Sequence, residues 1–292
     1  MFNFLQNKTL NLNSERRHTN QNNFMEDIMD RPDSHSGIRR YRAYVSTFGT
    51  TQLHLRNPYV IAFWSLAYPG LGHLLLSKYI RGFLLFTWEV FLNYKAHVNL
   101  AILYSFTGRI EMTKNVLDIA WVMFYAPTYL FIIYDSYRTT IDINLQYLLA
   151  AREDADIKMF NIDSFEINHL DKRVPWLAAA FSALMPGLGQ IYIHRIPSAF
   201  FSMSWFITMA YFSKLLPAIH YTLMGQFGLV HSIYAKSPAA AHWLLNISCL
   251  YFFAIYESYV NTVENNKLFD WEQAKFLKKN YQYKYFNMPF KK

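Results

Sequence analysis

The feature that most constrains this chain is a helix-breaking octet that occurs twice inside apolar sequence. Ala67-Tyr68-Pro69-Gly70-Leu71-Gly72-His73-Leu74 returns as Leu184-Met185-Pro186-Gly187-Leu188-Gly189-Gln190-Ile191. Each copy sets one proline and two glycines among large apolar residues. Proline removes a backbone donor and glycine leaves the backbone bare, so a helix does not run through unbroken. The freed amides and carbonyls need partners, and in apolar surroundings only other protein groups supply them. The motif therefore predicts tight helix contacts at both breaks.

The octets belong to a longer self-similarity. Arg56-Asn57-Pro58-Tyr59 precedes Arg173-Val174-Pro175-Trp176 by 117 residues, and that offset also links Ala62 to Ala179, Ser65 to Ser182, Gly72 to Gly189 and Trp88 to Trp205. Ile133-Tyr134-Asp135-Ser136-Tyr137 matches Ile255-Tyr256-Glu257-Ser258-Tyr259 at offset 122, so the second copy carries five extra residues between Trp205 and Glu257. A fixed offset over several landmarks is the mark of duplication. Each copy holds three apolar segments, 59–76, 82–106 and 116–134 in the first, 176–193, 199–216 and 239–256 in the second. These approach the roughly 20 residues that cross a bilayer. With 53% hydrophobic and only 16% charged residues, a water-soluble globule is not the expectation.

The expected fold class is all-α, a polytopic membrane helical bundle of two homologous repeats, each a Pro-Gly-kinked segment plus two transmembrane helices. Residues 1–50 read as a disordered N-terminal tail and 52–137 as the first repeat. Residues 138–172 read as a polar connecting loop that begins as an amphipathic helix, 173–260 as the second repeat, and 261–292 as a basic, aromatic C-terminal tail.

The net charge of +8 has no accompanying nucleic-acid motif, so nucleic acid is not an expected partner. The expected partners are membrane lipids and proteins of unspecified identity. Anionic headgroups would be met by Arg39, Arg40 and Arg42 and by the lysines of the C-terminal tail. Basic residues also set topology, since cytoplasmic loops carry the excess. If all six segments span, 18 Lys and Arg lie on the side of the termini and 9 on the other. If each Pro-Gly segment is re-entrant, four helices span and the split sharpens to 23 against 4. Both arrangements expect a multi-pass protein of the cell membrane with cytoplasmic termini.

Little in the chain announces chemistry. No P-loop, dinucleotide fingerprint, nucleophile elbow or paired metal-binding histidines is present, so no catalytic, cofactor or metal residue is nominated. Three carboxylates fall within or at the rim of apolar segments: Glu89, Asp135 and Glu257. Asp135 and Glu257 end equivalent segments, which points to a shared structural task such as accepting hydrogen bonds from the glycine turn. Glu89 has Phe206 as its counterpart. With Asn93 and His97 it makes a stripe at helical spacing in the first copy alone. That stripe is a proton, cation or substrate site on one reading and an interhelix hydrogen-bond network on the other. His73 is matched by Gln190, and a His/Gln exchange favours hydrogen bonding over metal ligation.

The segments Pro69-Gly70-Leu71-Gly72-His73 and Pro186-Gly187-Leu188-Gly189-Gln190-Ile191-Tyr192, each followed by an apolar helix and a later acidic residue, resemble the bacterial TM-two domain and its Pro-Gly-x-Gly-Gln-x-Tyr relatives. The resemblance implies a membrane location, a glycine motif at a helix end, and Asp135 and Glu257 in place of the family's closing Asp. The family's Tyr is Leu75 in the first copy. Its following Gly is Ser77 and His194, and its later Gly survives as Gly82 but becomes Ala199. The likeness covers the two motif regions and implies architecture more than activity. The expected function is that of a non-enzymatic membrane scaffold or regulator; the alternative is a small transporter, channel or lipid-handling protein.

Overall fold

The computed structural model describes residues 40–281. Residues 1–39 and 282–292, where most of the N-terminal tail and the end of the C-terminal one are expected, lie outside the described residues. The chain is mostly helical, with twelve helices and four short strands among the described residues. Strands β1 (Ala43–Ser46) and β2 (Gly49–Gln52) form an antiparallel hairpin. It is followed by α1 (Pro58–Ala67), α2 (Leu71–Leu75), α3 (Tyr79–Ala96), α4 (Val98–Phe106), α5 (Ile110–Val116) and α6 (Ile119–Glu153). The order then begins again. A second hairpin, β3 (Phe160–Ile162) and β4 (Ile167–His169), precedes α7 (Pro175–Leu184), α8 (Leu188–Tyr192), α9 (Ile196–Phe212), α10 (Leu215–Leu223), α11 (Phe227–Lys236) and α12 (Pro238–Tyr281).

The local chemistry of the two series is parallel. Pro58 and Pro175 stand in the first turns of α1 and α7, where a missing amide costs nothing. Asn57 caps α1 by accepting from the Tyr59 amide at 2.9 Å. Both helices stop at a residue in extended conformation, Tyr68 (φ −159°) and Met185 (φ −156°), because the following proline admits no helical backbone before it. Gly70 (φ +94°) and Gly187 (φ +106°) then turn the chain through left-handed space. The freed groups are satisfied alike: Leu71 N–H donates to Tyr68 O and Leu188 N–H to Met185 O, and after the short helices Lys78 N–H finds His73 O and Arg195 N–H finds Gln190 O.

Each broken pair goes out and comes back. Val174 N–H, at the head of α7, donates to the hydroxyl of Tyr192, the last residue of α8, at 3.3 Å. The Arg173 guanidinium lies over the Tyr192 ring, 5.3 Å from its centre. Just past α8, His194 Nε2 meets Thr47 O and Ile196 N–H donates to Phe48 O in the β1–β2 turn. That hairpin packs on the other through Asn168 Nδ2 to Ser46 O and Thr47 Oγ1 to Asp163 Oδ2. Both ends of the α7–α8 excursion thus lie beside the hairpins.

One core joins the halves. Ile61, Leu71, Leu74, Leu75 and Phe86 pack with Phe201, Met209, Leu250 and Phe253. Phe83 stacks on Phe201 at 4.4 Å, and Trp64 meets Phe253 edge-on at 5.4 Å. A smaller cluster of Ala43, Val45, Leu170 and Leu268 seats the hairpins on the distal part of α12.

Several sequence expectations need correction. Residues 138–172 are not a loop that begins as a helix: α6 continues unbroken to Glu153, and the hairpin β3–β4 follows. Helix persists because the polar stretch still carries an inward face, with Thr139, Thr140 and Ala150 buried. Residues 43–52 are a hairpin rather than tail, and α12 carries the basic C-terminal segment as helix as far as Tyr281. The shared element order starts at the hairpins and runs beyond the expected repeat limits of 52–137 and 173–260. The second apolar segments are each broken, at His97 (φ 59°) and Lys214 (φ 55°). The extra residues of the second series fall after Gly225, where α11 has ten residues against seven in α5. Arg40 and Arg42 bind the chain itself, reaching Glu153 at 2.8 Å and Asp154 at 2.7 Å, while Lys275 holds Asp156 at 2.9 Å.

By length and composition no single described helix crosses a membrane. Two bent pairs satisfy the criterion together, α5 with α6 (90° bend) and α11 with the body of α12 (106°).

The breaks generate a prediction. A Cβ on Gly72 would stand 2.6 Å from the backbone oxygen of Ile61 and 2.2 Å from Ser65 Oγ. One on Gly82 would meet only the Leu74 side chain inside 3 Å, and the second series has Ala199 there. Gly72→Ala is expected to destabilise by about 1–3 kcal/mol and Gly82→Ala by clearly less, measured by thermal unfolding of purified protein. Equal losses would mean that α1 and α2 do not pack backbone to backbone.

Candidate functional site

Two polar centres sit at the breaks, one per series. In the first, His73 on α2 is wholly buried and its Nε2 lies 2.8 Å from Asp135 Oδ2 on α6. Arg81 Nη1 on α3 donates to the same oxygen at 3.0 Å. In the second, Gln190 takes the place of His73. Its Oε1 accepts from the Gly187 amide and from Ser182 Oγ, both at 3.2 Å. Its Nε2 donates to Ala254 O at 2.9 Å and to Glu257 Oε2 at 3.1 Å. Ser198, the counterpart of Arg81, donates to Glu257 at 2.8 Å. Both carboxylates therefore tie the short helix, the long helix after it and the last helix of their series to one point. Pro69, Gly70, Gly72, Pro186, Gly187 and Gly189 form the backbone on which that point is built.

The centres differ in charge and access. Asp135 retains 23% side-chain exposure, whereas Glu257 has none. A buried carboxylate needs a countercharge as well as donors. Arg195, itself 3% exposed, stands 4.0 Å from Glu257 and spends its fork across the halves, donating to Ser77 Oγ at 3.1 Å and to the Tyr79 hydroxyl at 2.5 Å. Sequence reasoning missed Arg195. Its available signal is a basic residue two places beyond α8, where the first copy has Lys78. Asn144 and Asn266, at the 122 offset, were missed too. Each clamps the N–H and C=O of the residue entering its broken helix, Arg56 or Arg173.

A further buried group lies near Arg195. His54 is 8% exposed and neither ring nitrogen has a partner among the described residues. Burial first, then the charges of Arg56, Arg195 and Lys267, push its imidazole from the ordinary 6.5 down to about 2.

The stripe in α3 is only partly assembled. Glu89, buried at 4% exposure, accepts from the Tyr125 hydroxyl at 2.8 Å and from Asn93 Nδ2 at 3.3 Å. Asn93 Oδ1 accepts from the Asn99 amide, and Asn99 Nδ2 reaches Asn246 Oδ1 on α12. His97 does not join Glu89 and Asn93. It ends α3 in left-handed conformation and its Nδ1 turns to Lys95 O at 3.1 Å. Asn99, expected on another face, is brought back to Asn93 by that turn. A sharp turn at a non-glycine residue leaves no trace in hydropathy, so neither shift was readable. Beside the turn is a cavity of about 440 Å³ that reaches from Asn93 to His242 and Trp243.

No group of three or more metal-ligating side chains occurs among the described residues. The carboxylates are held by amides, hydroxyls and guanidinium groups, an arrangement that positions helices. Comparison of the chain with protein-family models, with curated proteins and with solved structures finds no match.

Two predictions follow from this geometry. Arg195→Ala leaves Glu257 buried without a countercharge, and is expected to cost about 3 kcal/mol in thermal unfolding. Arg195→Lys should not recover it, because a single ammonium lacks the fork that reaches Ser77 and Tyr79 together. His54 gives a pH signature. Its folded pKa lies below its unfolded one, so the unfolded chain binds the extra proton and stability falls as pH drops below about 6.5 towards 2. Between pH 7 and 5 the wild type should lose more stability than His54→Gln, with a limiting slope of about 1.4 kcal/mol per pH unit. Parallel pH curves would place His54 in contact with water.

Proposed function

We propose that the chain is an integral membrane protein made of two tandem repeats of one re-entrant unit, acting as a non-enzymatic scaffold or regulator at the membrane surface. The observation that carries this reading is the inverted distribution of side chains. Polar groups fill the helix-packed interior: Ser65, His73, Glu89, Gln190, Ser198 and Glu257 are buried. Large apolar ones face outward, among them Ile80 (79% exposed), Phe124 (67%), Phe200 (73%) and Leu184 (77%). In water such a surface would associate, whereas in lipid it is the favourable arrangement.

The absence of a long apolar helix fits a re-entrant unit. On this reading α1–α2 and α7–α8 dip into the bilayer and return, and α3, α6, α9 and α12 span. Helix α3 has 18 residues and α9 has 17, or roughly 25–27 Å, close to the hydrocarbon thickness. Arg81, Glu89 and Lys95 lower the hydropathy of α3. The hairpins and the ends of α6 and α12 then stand on one side, the side of both termini. Positive-inside counting makes that side the cytoplasm. The same architecture favours the resemblance to the TM-two domain, and a platform of hairpins and helix ends suits partner binding better than catalysis.

The second reading, a small transporter, channel or lipid-handling protein, is favoured by Glu89, a buried acid with no counterpart in the other series. Glu89→Gln separates the two. A transport role predicts lost flux in a normally inserted protein; a structural role predicts lowered thermal stability.

The membrane reading is tested by alkaline extraction and by labelling. With Cys249, the single cysteine, changed to Ser, a cysteine placed at residue 155 should react from the same side as the termini. Cysteines at Gly108 and Gly225 should react from the opposite side. Release of the protein by alkali, or reaction of residue 155 from the side of Gly108, overturns the arrangement.

A further inference from the structure

The cavity at the α3–α4 turn has a chemical character that neither reading above uses. Its volume, about 440 Å³, suits a headgroup-sized ligand. Lys95, His97 and His242 bring three basic side chains to its lining, and no carboxylate is among the lining residues. His242 is 8% exposed, touches Trp243 edge-on, and has no hydrogen-bond partner among the described residues. Tyr94, Leu100 and Trp243 supply apolar and aromatic wall.

The acceptors that would repel an anion are already occupied. The Asn93 carbonyl takes the His97 amide, Lys95 O takes His97 Nδ1, and Ala96 O takes the Asp118 amide at 3.4 Å. The Asp118 carboxylate is spent capping α6, on the Ala120 and Trp121 amides. Glu89 lies one turn behind Asn93, whose amide nitrogen donates to it. What remains open is donor capacity: the Lys95 ammonium, His97 Nε2 and the His242 ring. An anionic group with an apolar continuation satisfies all three and the aromatic wall at once.

We infer that this cavity is a binding site for the phosphate or carboxylate headgroup of a single-chain or membrane amphiphile, gripped by Lys95, His97 and His242. The inference borrows from the proposed membrane location only the source of the ligand. On that location the site lies on the bilayer face remote from the hairpins, since α3 runs away from them to His97.

The test uses the full chain in neutral maltoside detergent, with dodecyl phosphate as probe and inorganic phosphate in a parallel arm. Thermal unfolding should shift upward with dodecyl phosphate and saturate. In the Lys95→Gln/His97→Gln double variant the midpoint of that titration should weaken at least tenfold. Both replaced side chains are exposed, so the variant should unfold like the wild type without ligand. His242→Gln should weaken it again without abolishing folding. An equal response of wild type and double variant, or no response, overturns the site. An equal shift by inorganic phosphate overturns the amphiphile and assigns the pocket to a free anion. A chain released by alkali overturns the membrane reading while leaving this titration interpretable.

Discussion

Everything in this structure hangs on two helices being allowed to stop in the middle of apolar sequence. A break of that kind exposes amides and carbonyls, and it persists only where neighbouring backbone comes close enough to stand in for solvent. Gly72 provides the closeness in the first series, lying against the Ile61 carbonyl and Ser65; Gly189 does so in the second, against the Ala178 carbonyl and Ser182. The carboxylate of the last helix then fixes the short helix from the other side. With the bare backbone but no carboxylate the excursion would be close and unregistered; with the carboxylate but a Cβ at either glycine it would not close. The two requirements explain why glycine and acid recur together at a constant spacing while much of the intervening sequence drifts.

Within that shared frame the halves have divided the labour. The first centre is an acid with a histidine and an arginine at its open edge. The second has moved its acid fully inside and replaced the surrounding charges by Gln190 and Ser198. Neutral donors alone hold a buried carboxylate poorly, and Arg195 supplies the missing charge. Its other bonds go to Ser77 and Tyr79, so neutralising one half also fastens it to the other. The interface is thus specified where the desolvation cost is greatest, which is where a mispaired arrangement would be least tolerated.

The parts of the fold that were legible in the sequence are those dictated by backbone chemistry. Pro69 and Pro186 can only end a helix, Gly70 and Gly187 can turn with positive φ, and Asp135 and Glu257 are conspicuous in apolar company. What escaped were features whose cause lies elsewhere in the chain. The hairpins have three or four residues per strand and too little pattern to read; they exist because Thr47, Asn168 and His194 find one another. Helix α6 outlasts its apolar stretch because Asn144 has the Arg56 backbone to hold. The acidic residues after α6 and the arginines before β1 look like two solvated charge runs in sequence and prove to be one ionic seam. His97, placed on the Glu89 stripe by helical spacing, leaves it because the helix ends at that very residue.

The departure of His97 also bears on how a chain with so few long apolar helices can belong in a bilayer. Hydropathy counts every residue of a helix as though it met lipid. Here the inward face carries Glu89, Asn93 and Asn246, whose polar groups are consumed by Tyr125 and Asn99 before any hydrocarbon would see them. The residues left for lipid are Ile80, Leu84, Phe124 and Phe131, and those are exposed. A polar interior and broken helices depress the average of each segment without raising the cost of the outer surface. Where apolar side chains face out and satisfied polar ones face in, the sum along a helix is the wrong quantity. The free energy of insertion follows the composition of the outward face.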